Sequence, residues 1–216
     1  MSPFRLYGVA AHDPLDAPAL PPGVLLLPFR DLAAVASESR HARPSLGPQE
    51  LEAHRAAVAA VFARGTILPA PPGVVFRARE ALARWMELHY IALSDAIGFV
   101  EGRAVARVHV GRRSVHAVGV LGGGETEELA VDVDSAAADV FRILRRHAVA
   151  AIAIRPEPGQ SAATSAAATS SFLVERDRWR FFEDVVAEEG RRDPELLFRL
   201  TGPWPPYDFV RMEFGG

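Results

Sequence analysis

The chain has 216 residues, 49% of them hydrophobic and 24% charged, which excludes fibrous and wholly disordered proteins and allows one large or two small globular domains. Its net charge of −3 comes from 27 acidic and 24 basic side chains. All 24 basic side chains are arginine, which excludes phosphate sites and Schiff-base sites that depend on lysine. The absence of cysteine excludes disulfides, thiolate metal sites and cysteine nucleophiles.

The sequence also predicts where the chain resides and which partner classes it lacks. No apolar stretch approaches the roughly 18 residues of a membrane span, and the N-terminal residues do not have the pattern of a signal peptide. We therefore expect a soluble, cytoplasmic protein without a membrane partner. Because the arginines are dispersed in a mildly acidic chain, we also expect no nucleic-acid partner.

The first hundred residues are predicted to form a domain of mixed strands and helices. Alternating, β-favouring residues predict a strand over 4–10, and a nearly continuous apolar run predicts a second strand over 24–29 that continues into or pairs with 32–36. Helical spacing of apolar side chains predicts helices over 49–64 and about 78–99.

Between the two predicted helices, prolines exclude a helix over 66–76. Two short extended pieces around a rigid turn fit this stretch better. The pattern changes again after Gly98 and Gly102, and we place a domain boundary near residue 100. The predicted domains are thus 1–100 and 101–216.

The second predicted domain begins with alternating residues that give one or two strands between Ala104 and Leu121. A helix through Leu144, a buried-type strand over 149–154, and a low-complexity, mobile Ala/Ser loop near 156–170 follow. A strand over 171–174, a helix over 175–189 and a last strand over 196–200 complete it. This βαββαβ order predicts a ferredoxin-like domain, so the fold class is α+β with two domains.

No constellation of residues predicts catalysis, a metal or a cofactor. The seven histidines do not fall at metal-ligand spacings, and no Gly-x-Ser-x-Gly motif occurs. His54 and His89 lie on the apolar stripes of their helices, which favours buried, hydrogen-bonded histidines. An enzyme would require His54, His89 or His109 beside a carboxylate in an open cleft.

The most unusual local segment lies near the C-terminus. Three prolines and two aromatic residues occur within Pro203, Trp204, Pro205, Pro206 and Tyr207, which predicts a stiff turn with a large apolar area. The turn could close the core as a rigid plug, and it could also present a preorganised docking surface. These two interpretations are compatible.

The segment 202–210, with the sequence GPWPPYDFV, closely resembles the C-terminal GPWPPYxFV signature of the gas vesicle accessory proteins of the GvpF/GvpL type. Further landmarks follow in the family's order, among them Leu6-Tyr7-Gly8-Val9, Ile67-Leu68-Pro69 and Ser171-Phe172-Leu173-Val174. The resemblance covers essentially the whole chain. One departure is Pro72, which precedes Gly73 where the family has an aromatic residue.

The resemblance implies a non-enzymatic accessory protein, located at the gas vesicle, that assists assembly by contacting the major shell protein and other accessory subunits. It also implies an α+β N-terminal domain and a ferredoxin-like C-terminal domain, with no cofactor. Binding of a small molecule or a regulator by the ferredoxin-like module is the alternative function. We expect the partner to bind at two turns, through Leu68, Pro69 and Phe76 and through Trp204, Pro205, Pro206 and Tyr207.

Overall fold

The computed structural model shows an α+β chain in which helices pack on two β-sheets. The chain divides into two compact units, Met1–Ala104 with Trp204–Gly216, and Val105–Pro203. The division at residue 100 remains a prediction, and the structure differs from it by grouping the residues from Trp204 onward with the first unit. The structure describes residues 2–13, 18–39, 46–112, 133–154 and 166–212.

The first sheet is built around its central strand, β1, which spans Phe4–Ala11. β1 pairs antiparallel with β3, Leu32–Glu38, and also with two short strands, β4, Ile67–Pro69, and β5, Val75–Phe76. β2, Val24–Phe29, pairs antiparallel with β3 and forms the outer edge. The strands predicted in this half of the chain are therefore confirmed, and the two apolar runs that follow β1 form a hairpin.

A close approach of two strands depends on Gly8. The register between β1 and β3 shifts between Leu6 and Gly8, so the ladder contains an irregularity there. On the opposite edge, Gly8 is paired with Pro69 of β4, and a Cβ added at Gly8 would lie 2.6 Å from the backbone oxygen of Leu68. Only glycine allows β4 to approach β1 this closely.

Two helices cover this sheet. α1 spans Pro48–Phe62, with proline in its first turn, where a missing N–H is tolerated. α2 spans Arg79–Val100 and is followed by Gly102, which adopts the left-handed backbone conformation (φ 67°) that glycine favours. Apolar side chains at spacings of three and four residues face the sheet from α2 and form a core with β1 and β4. The larger buried members of this core are Phe4, Leu6, Val9, Leu68, Leu82, Trp85, Met86, Leu93 and Ile97.

The second unit contains the other sheet. Its strand order is β7-β8-β6-β9, and β7 and β8 are antiparallel. Helices α3 and α4 both contact β8, and Phe172 and Phe182 lie at the centre of the core with no exposed surface. The elements span Arg103–Arg112 (β6), Val133–Leu144 (α3), Ala150–Ile154 (β7), Ala166–Glu175 (β8), Trp179–Arg192 (α4) and Leu196–Trp204 (β9).

Two features of this sheet differ from the sequence predictions. β7 was expected to be buried, but it is the edge strand of the sheet, and Ile152 is exposed. β8 begins at Ala166, so the predicted loop near 156–170 is wrong for its last five residues. Ser170 lies in the strand, and its hydroxyl donates to the backbone oxygen of Ile152 at 3.0 Å, which satisfies a polar residue inside the sheet. The rest of that loop and most of the region before α3 lie outside the described residues.

The last strand also extends further than expected. The prediction ended it at Leu200, whereas β9 continues to Trp204. Gly202 allows this continuation because it has φ 131° and because a Cβ there would lie 2.6 Å from the backbone oxygen of Val105. Over the ranges that the structure describes, no helix is long and apolar enough to cross a membrane.

Candidate functional site

The first predicted turn joins a buried strand to an exposed tip. Leu68 has no exposed surface, and Pro69 beside it in β4 is also buried. The chain turns at the exposed Pro71 and Pro72 through Gly73, whose φ of 92° favours glycine. Pro72, which departs from the family pattern, therefore lies at the exposed tip.

Phe76, at the end of this turn, is half-buried in the first unit. Its ring packs on the ring of Trp85 with 5.6 Å between centroids. The backbone oxygen of Val74 accepts a hydrogen bond from the amide of Leu6 at 3.0 Å, so the turn is tied to β1 at both ends. The turn is thus a rigid part of the first unit rather than a loose loop.

The second predicted turn presents two aromatic side chains to solvent. Trp204 is 48% exposed and Tyr207 is 36% exposed, whereas Pro206 between them is buried. A single 3-10 turn, Tyr207–Phe209, follows, in which the amide of Tyr207 donates to the backbone oxygen of Pro205 at 2.8 Å. Two consecutive prolines and this short helix fix the backbone, so the two aromatic side chains require little further ordering.

The first unit contains the first turn and the second turn from Trp204 onward. Val210 and Met212, which follow the second turn, pack against the same apolar core as Leu68 and Phe76. α1 lies near both turns. His54 of α1 lines one small crevice with the tip residues Pro72 and Gly73, and the positive charge of Arg55, also on α1, acts to lower the pKa of Tyr207. The first turn and the residues Trp204–Tyr207 are therefore parts of one folded unit.

Arg55 is the residue near this site that sequence reasoning missed. Burial raises the pKa of Tyr207, and the positive charge of Arg55 acts in the opposite direction. Arg55 is exposed and forms an ion pair with Glu52 at 3.3 Å on the same helix. No sequence signal could have joined Arg55 to Tyr207, because they are far apart in the chain and the fold brings the charge of Arg55 within electrostatic range of Tyr207.

Exposure separates the predicted site residues into two groups, apart from Phe76, which is half-buried against Trp85. Leu68, Pro69 and Pro206 are buried and serve the fold of the turns. The exposed residues Trp204 and Tyr207, together with the half-buried Pro205, form what we call the aromatic surface. The buried residues offer no area for direct contact with a partner, whereas the aromatic surface does.

Of the three histidines that the sequence singled out, the structure buries His54, whereas His89 and His109 are partly exposed. His54 is buried and contacts the ring of Tyr7 edge-on at 5.6 Å, and burial lowers its pKa. Neither ring nitrogen of His54 meets hydrogen-bond geometry within the described residues, although the backbone of Ala70 acts to raise the pKa. The predicted hydrogen bonding of this buried histidine is therefore not found there.

His89 lines an open crevice together with Glu87 and Asp95. His89 packs on the ring of Trp85 at 5.3 Å. His109 is hydrogen-bonded through Nδ1 to the hydroxyl of Thr169 at 3.0 Å, and burial, with Arg199 and Arg107 nearby, lowers its pKa. In the part of the chain that the structure describes, no group of three or more His, Asp or Glu side chains could hold a metal ion.

An open cavity lies in the first unit, between the end of β1 and the last turns of α2. Its volume is about 480 Å³, within the range of small-molecule pockets. Charged residues of both signs line it, including Asp31, Arg64 and Glu101. The hydroxyl of Ser94 is buried and has no hydrogen-bond partner among the described residues.

Two crystal structures share this fold. The gas vesicle protein GvpF from Anabaena sp. superposes with a TM-score of 0.75, covering 100% of this chain and 99% of that one at 16% sequence identity. GvpF from Microcystis aeruginosa gives a TM-score of 0.72, covering 98% and 100% at 14% identity. At these identities the likeness establishes the fold class, which is α+β with two antiparallel sheets.

The sequence comparisons establish the family. Gas vesicle protein F2 of Halobacterium salinarum is 27% identical over 190 residues, spanning 87% of this chain and 80% of that protein. Gas vesicle protein F of Haloferax mediterranei is 25% identical over 219 residues, spanning 97% and 93%. The family model described as gas vesicle synthesis protein GvpL/GvpF matches residues 5–117 and 121–211. The chain belongs to the GvpL/GvpF family, which confirms the resemblance found in the sequence.

Proposed function

We propose that this chain is a non-enzymatic accessory protein of gas vesicle assembly, acting at the gas vesicle within the cytoplasm. Membership of the GvpL/GvpF family supports a role in gas vesicle synthesis at the level of the family. We further propose that its partners are the major shell protein and other accessory subunits. The observation that carries this proposal is the exposed, backbone-fixed aromatic surface.

The physical chemistry of the aromatic surface suits an apolar partner. Tryptophan and tyrosine bury a large apolar area and carry one polar group each, and they lose little conformational entropy when they bind. Trp204 keeps almost half of its surface exposed although the surrounding backbone is rigid. Such preorganised aromatic residues are the side chains that most often dominate binding energy at protein interfaces.

Measurement of shell-protein binding to the full chain and to Trp204→Ala tests the proposal. We expect Trp204→Ala to weaken binding about thirtyfold or more, because truncation of an interface anchor costs about 2 kcal/mol or more. The matched control is Phe181→Ala, since Phe181 on α4 is an aromatic residue with 47% exposure, close to the 48% of Trp204. The control should bind as tightly as the unaltered chain.

The same variants separate a structural role from a binding role. If Trp204→Ala lowers the free energy of unfolding while the folded fraction binds shell protein unchanged, the turn is a structural plug and the site proposal is wrong. If the unaltered chain does not bind shell protein at all, the proposed partner is wrong, whatever the fate of the site.

We propose that the second unit is a ferredoxin-like domain. Its elements follow the order strand, helix, strand, strand, helix, strand, from β6 to β9. The strand order β7-β8-β6-β9 supports the proposal, because it places the first and third strands of the unit at the centre of the sheet. A crystal structure with a different strand order, or with α3 and α4 on opposite faces, would contradict it.

A second candidate function, binding of a small molecule, rests on the cavity in the first unit. The unpartnered hydroxyl of Ser94 and the charged side chains of Asp31 and Arg64 offer polar contacts inside a pocket of suitable volume. Native mass spectrometry of the purified full chain tests it. A retained small molecule that is lost in Ser94→Leu supports this function, whereas the bare polypeptide mass in both proteins refutes it.

A further inference from the structure

The face of α2 that points away from the core is apolar at its centre. Leu88 is 74% exposed and Ile91 is 75% exposed, the highest values among the large hydrophobic residues described. Spacings of three and four residues place them on one stripe along the helix, in the pattern of a coiled-coil seam. The stripe consists of Ala81, Arg84, Leu88, Ile91, Asp95 and Gly98.

This outer stripe is symmetric about its midpoint, which lies between residues 89 and 90. Leu88 and Ile91 are equally far from the midpoint, and Arg84 and Asp95 are equally far on either side. Two small residues, Ala81 and Gly98, occupy the ends. When two such helices run antiparallel about a two-fold axis at the midpoint, each residue meets its counterpart from the other copy.

We propose that the outer stripe of α2 binds the same stripe of a second copy of this chain, as an antiparallel helix pair. In this register Leu88 packs against Ile91 of the second copy at the centre, and Arg84 faces Asp95 of the second copy at both ends. Neither Arg84 nor Asp95 has an ion-pair partner elsewhere within the described residues. Opposite charge at matched positions favours this occupant over an unrelated apolar helix, which would leave both charges unpaired.

The proposed pair goes beyond the proposed gas vesicle function and uses none of the aromatic surface. The stripe from Ala81 to Gly98 is about 26 Å long, and two helices in contact over that length bury a small interface. The dimer is therefore expected to be reversible and to depend on protein concentration. Its loss would leave the shell-protein proposal untouched, and the reverse also holds.

Sedimentation equilibrium on the full chain tests the pair. The average mass should rise from 23.4 kDa towards twice that value as the concentration increases to about 1 mM, the range expected for a small interface. Arg84→Asp and Asp95→Arg should each remain at the monomer mass, because like charges then face each other at both ends of the pair. An equimolar mixture of the two variants should associate, because every charged position again faces its opposite.

The mixture distinguishes this pair from other self-association. A variant that fails to fold cannot recover association on mixing. A parallel pair would set Arg84 against Arg84 and Asp95 against Asp95 in the unaltered chain, so association of the unaltered chain, its loss in each variant and its recovery in the mixture together identify the antiparallel register. Ile91→Asp should abolish the dimer, while Phe181→Asp, at an exposed aromatic residue of α4, should not. A monomer at every concentration, a dimer that survives Ile91→Asp, or a mixture that does not associate would overturn the proposal.

Discussion

Replacement of Gly8 by alanine tests whether the close approach of β4 to β1 builds the first predicted turn. The added Cβ would lie 2.6 Å from the backbone oxygen of Leu68 and 2.9 Å from Cδ1 of Ile67. Heavy atoms in favourable contact are about 3.5–4.0 Å apart, so the two strands would have to separate by roughly 1 Å. The oxygen belongs to the backbone and cannot rotate away as a side chain could.

The expected loss in the free energy of unfolding follows from that displacement. Overpacking of a closely packed site costs about 1–3 kcal/mol, and weakening one backbone hydrogen bond between β1 and β4 adds about 1 kcal/mol. We therefore expect Gly8→Ala to lower the free energy of unfolding by about 2–4 kcal/mol. Urea unfolding of the full chain, followed by circular dichroism, measures this change.

Gly98→Ala is the matched control, because it adds the same methyl group where nothing lies within 4 Å. Gly98 is inside α2, and alanine there should raise the free energy of unfolding by about 0.5–1 kcal/mol. The two glycine replacements should thus change the free energy of unfolding in opposite directions. A loss below about 0.5 kcal/mol for Gly8→Ala, within the range of ordinary surface changes, would refute the steric argument.

Two further predictions concern stability. Gly202→Ala should lower the free energy of unfolding by more than about 1 kcal/mol. The backbone at Gly202 has φ 131°, and the added Cβ would lie 2.6 Å from the backbone oxygen of Val105 and 2.8 Å from Cη2 of Trp179. An unchanged urea unfolding curve would contradict this. Burial lowers the folded-state pKa of His54, so the unfolded chain binds the proton more readily and stability should fall as the pH decreases through about 6.5. His54→Gln should reduce that slope between about pH 7 and pH 5, and an equal slope in both proteins would contradict the assignment.

Local patterns were sufficient to predict β1 and both helices of the first unit. Each helix buries one apolar face, α2 in a core with Leu6 and Val9 of β1, and α1 in a second core with Tyr7 and Ala10 of β1. The prolines between these helices correctly excluded a helix and indicated the turn that ends at Phe76.

The errors arose where long-range pairing decides the structure. Composition predicted a mobile loop up to Ser170, but the hydroxyl of Ser170 finds an acceptor on β7, so the strand begins earlier. Apolar character predicted a buried β7, yet the order of strands places it at an edge. A sequence pattern does not contain strand order, and the exposure of β7 follows from that order.

The same limit applies to the candidate site. The signature at Trp204 and Tyr207 identified both the family and the exposed aromatic residues, because proline-rich aromatic turns are rare and locally encoded. The sequence did not show that Leu68 and Pro69 are buried, nor that Arg55 lies near Tyr207. Both facts depend on which elements pack together in the first unit.

Site-specific photocrosslinking tests the central claim most directly. A photoreactive aromatic amino acid is introduced in the full chain at Trp204, at Tyr207, or at Phe181 as the equally exposed control. The account predicts crosslinks to purified shell protein from positions 204 and 207 and none above background from position 181. Crosslinking that is equal at all three positions, or absent from positions 204 and 207 while the chain still binds shell protein, would contradict it.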